Sequence, residues 1–260
     1  MKHINTIIDY NKHPINDVKY IQECNSLIKK NSLLVLENFL SKNSLLKILN
    51  EAKKLEDHAY YCQQQHTILL SKQSDDIDKN DPLNRLMISD KGCVPHDLIN
   101  KNSDLNILYN SEVFKSFIKN VLNLNNIFPY IDKLSSINLN YYQNGQQLGW
   151  HFDNASFAIT LMIQSSTFGG EFEYITEGRN SKDNYIDKEL ISNIIDGKNK
   201  PKKLDVNDGT LILFYGRNYL HRVTPVKSQT PRILITLNYN EENHIELSEN
   251  ARLTFFGRVN

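Results

Sequence analysis

The chain has 260 residues, with 30 basic and 30 acidic side chains, and its formal net charge at neutral pH is zero. This balance gives no electrostatic reason to expect a nucleic-acid or membrane partner. The length fits one domain with a substantial core, and no apolar segment is long enough for a signal peptide or a membrane span. We therefore expect a cytoplasmic protein; its oligomeric state stays open.

The first predicted elements are helical. Apolar residues at Val18, Ile21, Leu27 and Ile28 predict one helix over residues 16–30, and residues 33–36 are typical of a strand. Ser41 is a suitable N-cap for a second helix. The apolar stripe of that helix comprises Leu45, Leu46, Ile48, Leu49 and Ala52. We expect both stripes to pack on the outside of a β-rich core.

The three cysteines, Cys24, Cys62 and Cys93, are widely spaced and contain no Cys-x-x-Cys pair. Neither a disulfide framework nor a structural zinc site is indicated. Residues 61–106 are mostly polar and predict a long loop, which would be either a lid over a binding site or a flexible surface insertion. A second insertion, residues 175–204, permits a short helix that stops at Gly197.

The central motif is Trp150-His151-Phe152-Asp153, in a segment with the composition of a strand. On a strand, residues i and i+2 point to the same side, so the side chains of His151 and Asp153 can reach one metal while Phe152 faces the opposite layer. An isolated His-x-Asp pair is common by chance. A third ligand is needed before the pair indicates a metal site.

His221 supplies that third ligand from a later predicted strand. Two imidazoles and one carboxylate form the facial triad that holds Fe(II) and leaves coordination positions open. Arg232 opens a further apolar strand, where a guanidinium is costly to bury unless an anion meets it. Arg232 is therefore predicted to bind a carboxylate. Arg222 is adjacent to His221 and should face the other way.

Taken together, these motifs resemble the Fe(II)/2-oxoglutarate-dependent oxygenases of the prolyl-hydroxylase-like superfamily. More narrowly, they are similar to a bacterial branch of free-amino-acid hydroxylases and lysine halogenases. The resemblance covers residues from about Asp81 to the end of the chain. It rests on Asn140-Tyr141-Tyr142, His151-Phe152-Asp153, Gly169-Gly170-Glu171-Phe172, Leu220-His221-Arg222-Val223-Thr224-Pro225-Val226, Arg232 and Phe255-Phe256-Gly257-Arg258.

The resemblance implies an α+β, mainly β fold with a double-stranded β-helix core of the jelly-roll or cupin-like type and flanking N-terminal helices. It implies a single domain over residues 1–260, with helical support and a lid in 1–130 and the catalytic core in 131–260. Fe(II), 2-oxoglutarate and O2 are the implied cofactors.

The same resemblance assigns roles to residues. His151, Asp153 and His221 would ligate iron, and Arg232, Tyr142 and Asn140 would hold 2-oxoglutarate. The extra Pro231 before the arginine could displace Arg232 slightly along its strand. Candidate substrate-binding residues are Arg85, for a substrate carboxylate, and three polar residues near the predicted mouth: Asn154, Arg217 and Asn238.

The reaction predicted from these roles is hydroxylation of a small polar substrate, most simply a free amino acid. Halogenases of this kind replace the metal-binding carboxylate by glycine or alanine to admit a halide, whereas this chain keeps Asp153. Lysine is not favoured over other polar amino acids, because the residue after the motif is the neutral Asn154. The alternatives are a desaturase or cyclase, a peptidyl hydroxylase, and a silent cupin-like binding module.

Overall fold

The computed structural model describes residues 4–260, and within them the chain forms six α-helices and fifteen strands. The N-terminal segment, for which no signal peptide is predicted, includes residues 1–3, which lie outside the described residues. The helices are α1 (Val18–Asn31), α2 (Lys42–Leu55), α3 (Asp104–Asn110), α4 (Glu112–Val121), α5 (Lys188–Ile195) and α6 (Glu249–Phe256). The strands are β1 (Leu33–Leu36), β2 (Tyr60–His66), β3 (Met87–Val94), β4 (Phe128–Pro129), β5 (Ile137–Tyr142), β6 (Leu148–His151), β7 (Ala158–Gln164), β8 (Phe172–Tyr174), β9 (Arg179–Asn180), β10 (Tyr185–Ile186), β11 (Lys202–Leu204), β12 (Leu211–Phe214), β13 (His221–Val223), β14 (Arg232–Leu237) and β15 (Tyr239–Asn240).

Two antiparallel sheets form the body of the protein. The large sheet has seven strands in the order β1-β12-β7-β14-β5-β3-β2, and the small sheet has four in the order β11-β8-β13-β6. Phe172 of the small sheet contacts Phe214 of the large sheet edge to face, with ring centroids 5.4 Å apart. The sheets therefore face each other, and the predicted mainly β architecture is confirmed. Residues before 130 contribute β1, β2 and β3 to the large sheet.

Strand alternation divides the large sheet into an apolar outer face and a cavity-facing inner face. On β5, Ile137, Leu139 and Tyr141 are buried in the main hydrophobic cluster, whereas Asn138, Asn140 and Tyr142 line a cavity. The same two-residue period holds on β14. This division puts the helices on one side of the sheet and the polar chemistry on the other.

Helices α1 to α4 cover the outer face, as the two N-terminal stripes predict. The side chains of Asp17 and Ser41 cap α1 and α2 by accepting hydrogen bonds from backbone amides of their first turns. Ile28, Ile48 and Ala52 are buried against the sheet. Val18 and Leu46, also counted in the stripes, are instead 66% and 60% exposed. Among residues 4–260, no helix is both long and apolar enough to cross a membrane.

The prediction of a long irregular loop over residues 61–106 is wrong. Strands β2 and β3 pair along seven residues, and β3 continues the sheet onto β5. The longest part of this range without α-helix or strand is the connection between β2 and β3, residues 67–86. The side chains of β2 alternate in burial but not in polarity, since the more buried positions are Cys62, Gln64 and His66. The inward-facing residues of β2 are polar because they line the cavity. The strand therefore lacks the alternation of apolar and polar residues by which a strand is predicted from sequence.

The second insertion contains the predicted short helix, α5, and Gly197 follows it with a positive φ of 71°. Ile191 and Ile194 of α5 pack in a second cluster with Trp150 and Phe152. This cluster lies on the face of β6 that turns away from the metal ligands. Cys24, Cys62 and Cys93 are free, and Cys24 and Cys93 are buried.

Candidate active site

The two histidines of the predicted triad lie directly opposite each other on adjacent strands. His151 ends β6, His221 begins β13, and the two are register partners. The Nε2 atoms of His151 and His221 lie 3.4 Å and 3.6 Å from Oδ1 of Asp153. One ligand atom from each residue lies within 4.8 Å of the others. The three residues therefore converge on one point, with the donor set of a two-histidine, one-carboxylate metal site.

Hydrogen bonds to the backbone fix which imidazole nitrogen faces that point. The Nδ1 atom of His151 is 2.8 Å from the carbonyl oxygen of Gly149, and that of His221 is 2.8 Å from the carbonyl oxygen of Tyr219. With Nδ1–H donating to these carbonyls, Nε2 is unprotonated and free to ligate. Burial, together with the charge of His221, lowers the pKa of His151, which favours the neutral ligand form.

Asp153 lies just past the end of β6 and is held by the loop before β13. Its backbone amide donates to the carbonyl oxygen of Gly216 at 3.0 Å. Burial raises the pKa of the Asp153 carboxyl, but His221 and His151, in their protonated forms, outweigh burial and hold that pKa well below its usual range. Phe152 is buried in the opposite cluster, so the alternation predicted for the motif continues beyond the strand.

Arg232 is a buried cation aimed into the same cavity. Its side chain lies over the Tyr142 ring at 5.4 Å, and the two residues are register partners on β14 and β5. Among the described residues, the Arg232 Nε and Nη1 atoms have no hydrogen-bond partner. Burial lowers the pKa of Arg232. Since buried guanidinium donors are rarely left unsatisfied, these free donors fit an anionic ligand such as a carboxylate.

Arg222, the rival arginine, has its own partners outside the cavity. Its Nε and Nη2 atoms both lie 2.7 Å from Oε2 of the buried Glu173. Its guanidinium also stacks 4.6 Å from the Trp150 ring. As expected, Arg222 points away from the cavity, whereas Arg232 points into it. The pairing of β14 with β7 is irregular after Ile233, whereas its pairing with β5 is regular, so Pro231 does not displace Arg232 from Tyr142.

A cavity of about 490 Å³ joins these groups. Both sheets and the C-terminal helix α6 form its wall, and α6 contributes Asn250, Ala251, Thr254 and Phe255. Of the residues predicted from the sequence, eight line it: Asn140, Tyr142, His151, Asp153, Asn154, His221, Arg232 and Asn238. The volume falls in the range of small-molecule sites.

The other two predicted substrate residues, Arg85 and Arg217, do not line this cavity. Arg85 Nη1 pairs with Asp196 at 2.5 Å and thereby joins the loop after β2 to the end of α5. Arg217 is held by the backbone carbonyl of Asn154. The assignment of Arg85 to a substrate carboxylate is corrected for this reason: an acidic side chain already occupies its guanidinium.

The cavity also has wall residues that the sequence did not single out as site residues. Lys91 on β3 lines it, with Nζ donating to Oδ1 of Asn140 at 2.6 Å. His66 on β2 also lines it, beside His151. The Nε2 atom of His66 lies 2.6 Å from Oγ of Ser89. His96 does not line the cavity, and its Nε2 atom lies 2.8 Å from Oδ1 of Asn106.

Comparisons with known proteins agree with this geometry. A family model described as "Halogenase D" matches residues 17–254. No curated protein matches the chain in sequence.

Solved structures share the fold. An oxidoreductase of the 2OG-Fe(II) oxygenase family from Burkholderia pseudomallei has a TM-score of 0.53 at 12% identity, covering 86% of this chain and 92% of that one. The non-heme alpha-ketoglutarate-dependent epimerase SnoN from nogalamycin biosynthesis has a TM-score of 0.59 at 9% identity, covering 86% and 81%. A prolyl 4-hydroxylase from Phytophthora capsici has a TM-score of 0.51 at 14% identity, covering 96% and 74%. At these identities the likeness concerns the fold alone.

Proposed function

The chain belongs to the Halogenase D family, and from this premise we propose that it is an Fe(II)- and 2-oxoglutarate-dependent dioxygenase that hydroxylates an unactivated C–H bond of a small polar substrate, a free amino acid or a derivative of one. The observation that carries the proposal is the presence, in one cavity, of a convergent His151, Asp153 and His221 set and of the buried, unpartnered cation Arg232. The two sheets are interpreted as a double-stranded β-helix within a single domain over residues 1–260.

The residues fit the groups that this chemistry requires. Two neutral imidazole nitrogens and one carboxylate oxygen suit Fe(II), and the unsatisfied donors of Arg232 suit the distal carboxylate of 2-oxoglutarate. Tyr142 lies beneath that guanidinium and limits where the carboxylate can lie. Together with O2, the bound metal and keto acid supply the oxidising power for C–H cleavage.

The protein's own contribution is positioning. The backbone carbonyls of Gly149 and Tyr219 hold the two imidazoles in ligating orientation before any metal binds. The rings of Phe172 and Phe214 lie 5.7 Å and 4.9 Å from the His221 ring, and Ile212 and Leu234 also line the cavity. Holding a substrate carbon near the metal within such a wall determines which bond reacts.

Asp153 supports hydroxylation over halogenation, although the family carries the name of a halogenase. A third protein ligand leaves fewer open positions on the metal, and the carboxylate lies where a halide would have to bind. The low pKa of Asp153 keeps it ionised as a ligand at neutral pH.

The size of the cavity and the helix along its wall support a small substrate. Side chains of α6, from Asn250 to Phe255, form one wall of the cavity, where a peptidyl hydroxylase would need an open groove. Desaturation or cyclisation would use the same site residues, so the product's mass has to distinguish them from hydroxylation.

The test is a screen of free amino acids for substrate-stimulated formation of succinate, read by the mass of the amino-acid product in chloride and chloride-free buffers. We expect a product heavier by one oxygen atom in both buffers. A chlorinated product would remove Asp153 from the ligand set, and a product that has lost two hydrogens would redirect the assignment to desaturation or cyclisation. Turnover only with peptides would favour the peptidyl hydroxylase.

A further inference from the structure

We infer that Lys91 binds the carboxylate of the substrate and that the substrate's side chain carries no positive charge. This inference rests on the proposed function and narrows its substrate class to amino acids with uncharged side chains. It follows from the charges that line the cavity and from the strands that position them.

Lys91 reaches the cavity from a strand that sequence patterns do not reveal. On β3, residues Ser89, Lys91 and Cys93 all line the cavity, as strand alternation requires. Cys93 is the register partner of Asn140 on β5, and the Lys91 ammonium donates to the Asn140 side chain at 2.6 Å. The Lys91 ammonium also lies 5.7 Å from the centroid of the Phe255 ring on α6.

Arg232 enters the same cavity from the other side of β5. In the large sheet, β5 lies between β3 and β14, the strands that carry Lys91 and Arg232. The two cations are therefore presented by different strands and flank β5. Arg232 lies over Tyr142, whereas Lys91 bonds to Asn140, two residues earlier on β5. This separation allows two carboxylates to be bound at once, one by each cation.

Both cations lack an acidic partner among the residues that the structure describes. Other cations in this range do have acidic partners, for example Arg222 with Glu173 and Lys203 with Glu171. The lining residues of the cavity include one carboxylate, that of the metal ligand Asp153. A partly buried cation without a counterion is costly, and an anionic ligand removes that cost. The distal carboxylate of 2-oxoglutarate satisfies Arg232, which leaves Lys91 for the substrate.

The same inventory of charges argues against a cationic side chain on the substrate. Apart from the groups already named, the polar lining is neutral: Gln64, Tyr130, Ser135, Thr160, Thr236, Asn238, Asn250 and Thr254. Neutral oxygens suffice for an α-ammonium group, whose charge is offset by the adjacent carboxylate that Lys91 binds. A second ammonium, as in lysine, would lose its water without gaining a carboxylate partner.

The experiment measures binding before turnover. Under anaerobic conditions, the enzyme with Fe(II) and 2-oxoglutarate should give a visible charge-transfer band, and bound substrate should perturb that band. The probes are the standard amino acids, L-norleucine as the uncharged match for L-lysine, and L-leucinamide as the match for L-leucine without its carboxylate. The variants are Lys91→Met, Lys91→Arg and, as a matched control, Lys12→Met, whose side chain is exposed and paired with Asp9.

We expect an uncharged amino acid to perturb the band and its amide not to do so. Loss of a charged hydrogen-bond partner in Lys91→Met should raise the amino-acid concentration required by on the order of 10- to 100-fold. Lys91→Arg should recover part of the loss, because it keeps the charge. In Lys91→Met the 2-oxoglutarate concentration that forms the band should stay within about twofold of the unmodified enzyme, and Lys12→Met should change neither requirement.

The possible failures separate the inference from the proposed function. Absence of the band in the unmodified enzyme would refute the proposed function itself. If the band forms but only cationic amino acids perturb it, or no amino acid does, the inference is wrong while the metal and cosubstrate sites stand. A raised 2-oxoglutarate requirement in Lys91→Met would assign Lys91 to the cosubstrate instead and overturn the inference.

Discussion

The backbone of Gly216 lies directly against the carboxylate of Asp153: a Cβ atom on Gly216 would lie 1.7 Å from Asp153 Oδ2 and 2.5 Å from its Cγ. The carbonyl of the same glycine accepts the Asp153 amide hydrogen bond. Gly216 does not have a positive φ. The need for glycine at this position therefore comes from its contact with Asp153 and not from backbone strain. The absence of a side chain at Gly216 thus leaves room for the Asp153 carboxylate, although Gly216 itself offers no ligand atom.

Gly216→Ala should therefore weaken Fe(II) binding with little loss of fold, because the added methyl group displaces the Asp153 carboxylate from the two imidazoles. The measurement is anaerobic Fe(II) titration in the presence of 2-oxoglutarate, followed by the charge-transfer band. Gly197→Ala is the control for backbone strain alone, since its φ is 71° and nothing lies within 4 Å of a Cβ at that position; it should lower stability without changing Fe(II) binding. Unchanged Fe(II) binding in Gly216→Ala would show that the carboxylate can move without loss of the site.

Arg232→Met should raise the 2-oxoglutarate requirement, because loss of a desolvated partner of a carboxylate costs about 2–5 kcal/mol of binding. Without 2-oxoglutarate, the same variant should be as stable as the unmodified protein or more so, since it removes a buried charge that has no acidic partner. Thermal unfolding with and without 2-oxoglutarate measures both effects.

Arg222→Met is the matched comparison for Arg232→Met. It should lower stability, because it leaves the buried Glu173 with only the more distant ammonium of Lys203, 3.7 Å from Oε1, and it should not change the 2-oxoglutarate requirement. The reverse pattern between the two variants would exchange the roles of the two arginines.

Asp153→Gly should abolish hydroxylation by removing the one carboxylate of the triad. Product mass after incubation with the substrate and chloride is the measurement, and Asp76→Gly, in the exposed connection after β2, serves as the control. We expect no chlorinated product from Asp153→Gly, since an open position does not by itself provide a halide pocket. Full hydroxylation by this variant would exclude Asp153 as a ligand.

Stability should fall as the pH is lowered below 6.5, in part through His13. Burial lowers the pKa of His13, despite a hydrogen bond to the Glu37 carbonyl and the charge of Asp9, which raise it. Because the unfolded chain, with a histidine pKa near 6.5, then binds more protons than the folded chain, protonation favours unfolding as the pH drops. His13→Gln should reduce the pH dependence of the unfolding free energy between pH 7.5 and 5.5. An identical pH dependence in both proteins would exclude this contribution.

The convergence of His151, Asp153 and His221 and the inward position of Arg232 could be predicted from sequence, because these residues lie on or directly after apolar strands, where alternation determines direction. His151 and Asp153 are two residues apart and point to the same side of the strand. Arg222 is one residue from His221 and points to the opposite side. Ile28, Ile48 and Ala52 were predictable for a similar reason, since a helical period places them on one face.

The residues of β2 and β3 could not be predicted in this way. Gln64, His66 and Lys91 face inward, but toward a polar cavity, so the usual contrast between an apolar inner face and a polar outer face is absent. Arg85 was misjudged because its partner, Asp196, lies far along the chain. Only the packing of α5 against the connection after β2 brings the two together.

The alternation of the large sheet has a consequence for how substrate choice can diverge. Positions such as Asn138, Thr160 and Thr236 shape the cavity, while their strand neighbours Leu139, Leu161 and Ile235 carry the helices. A replacement at an inward position alters what is recognised without disturbing the layer that maintains the fold. Substrate selectivity and folding stability therefore depend on separate residues. Single replacements at inward positions can change substrate selectivity while the iron site is retained.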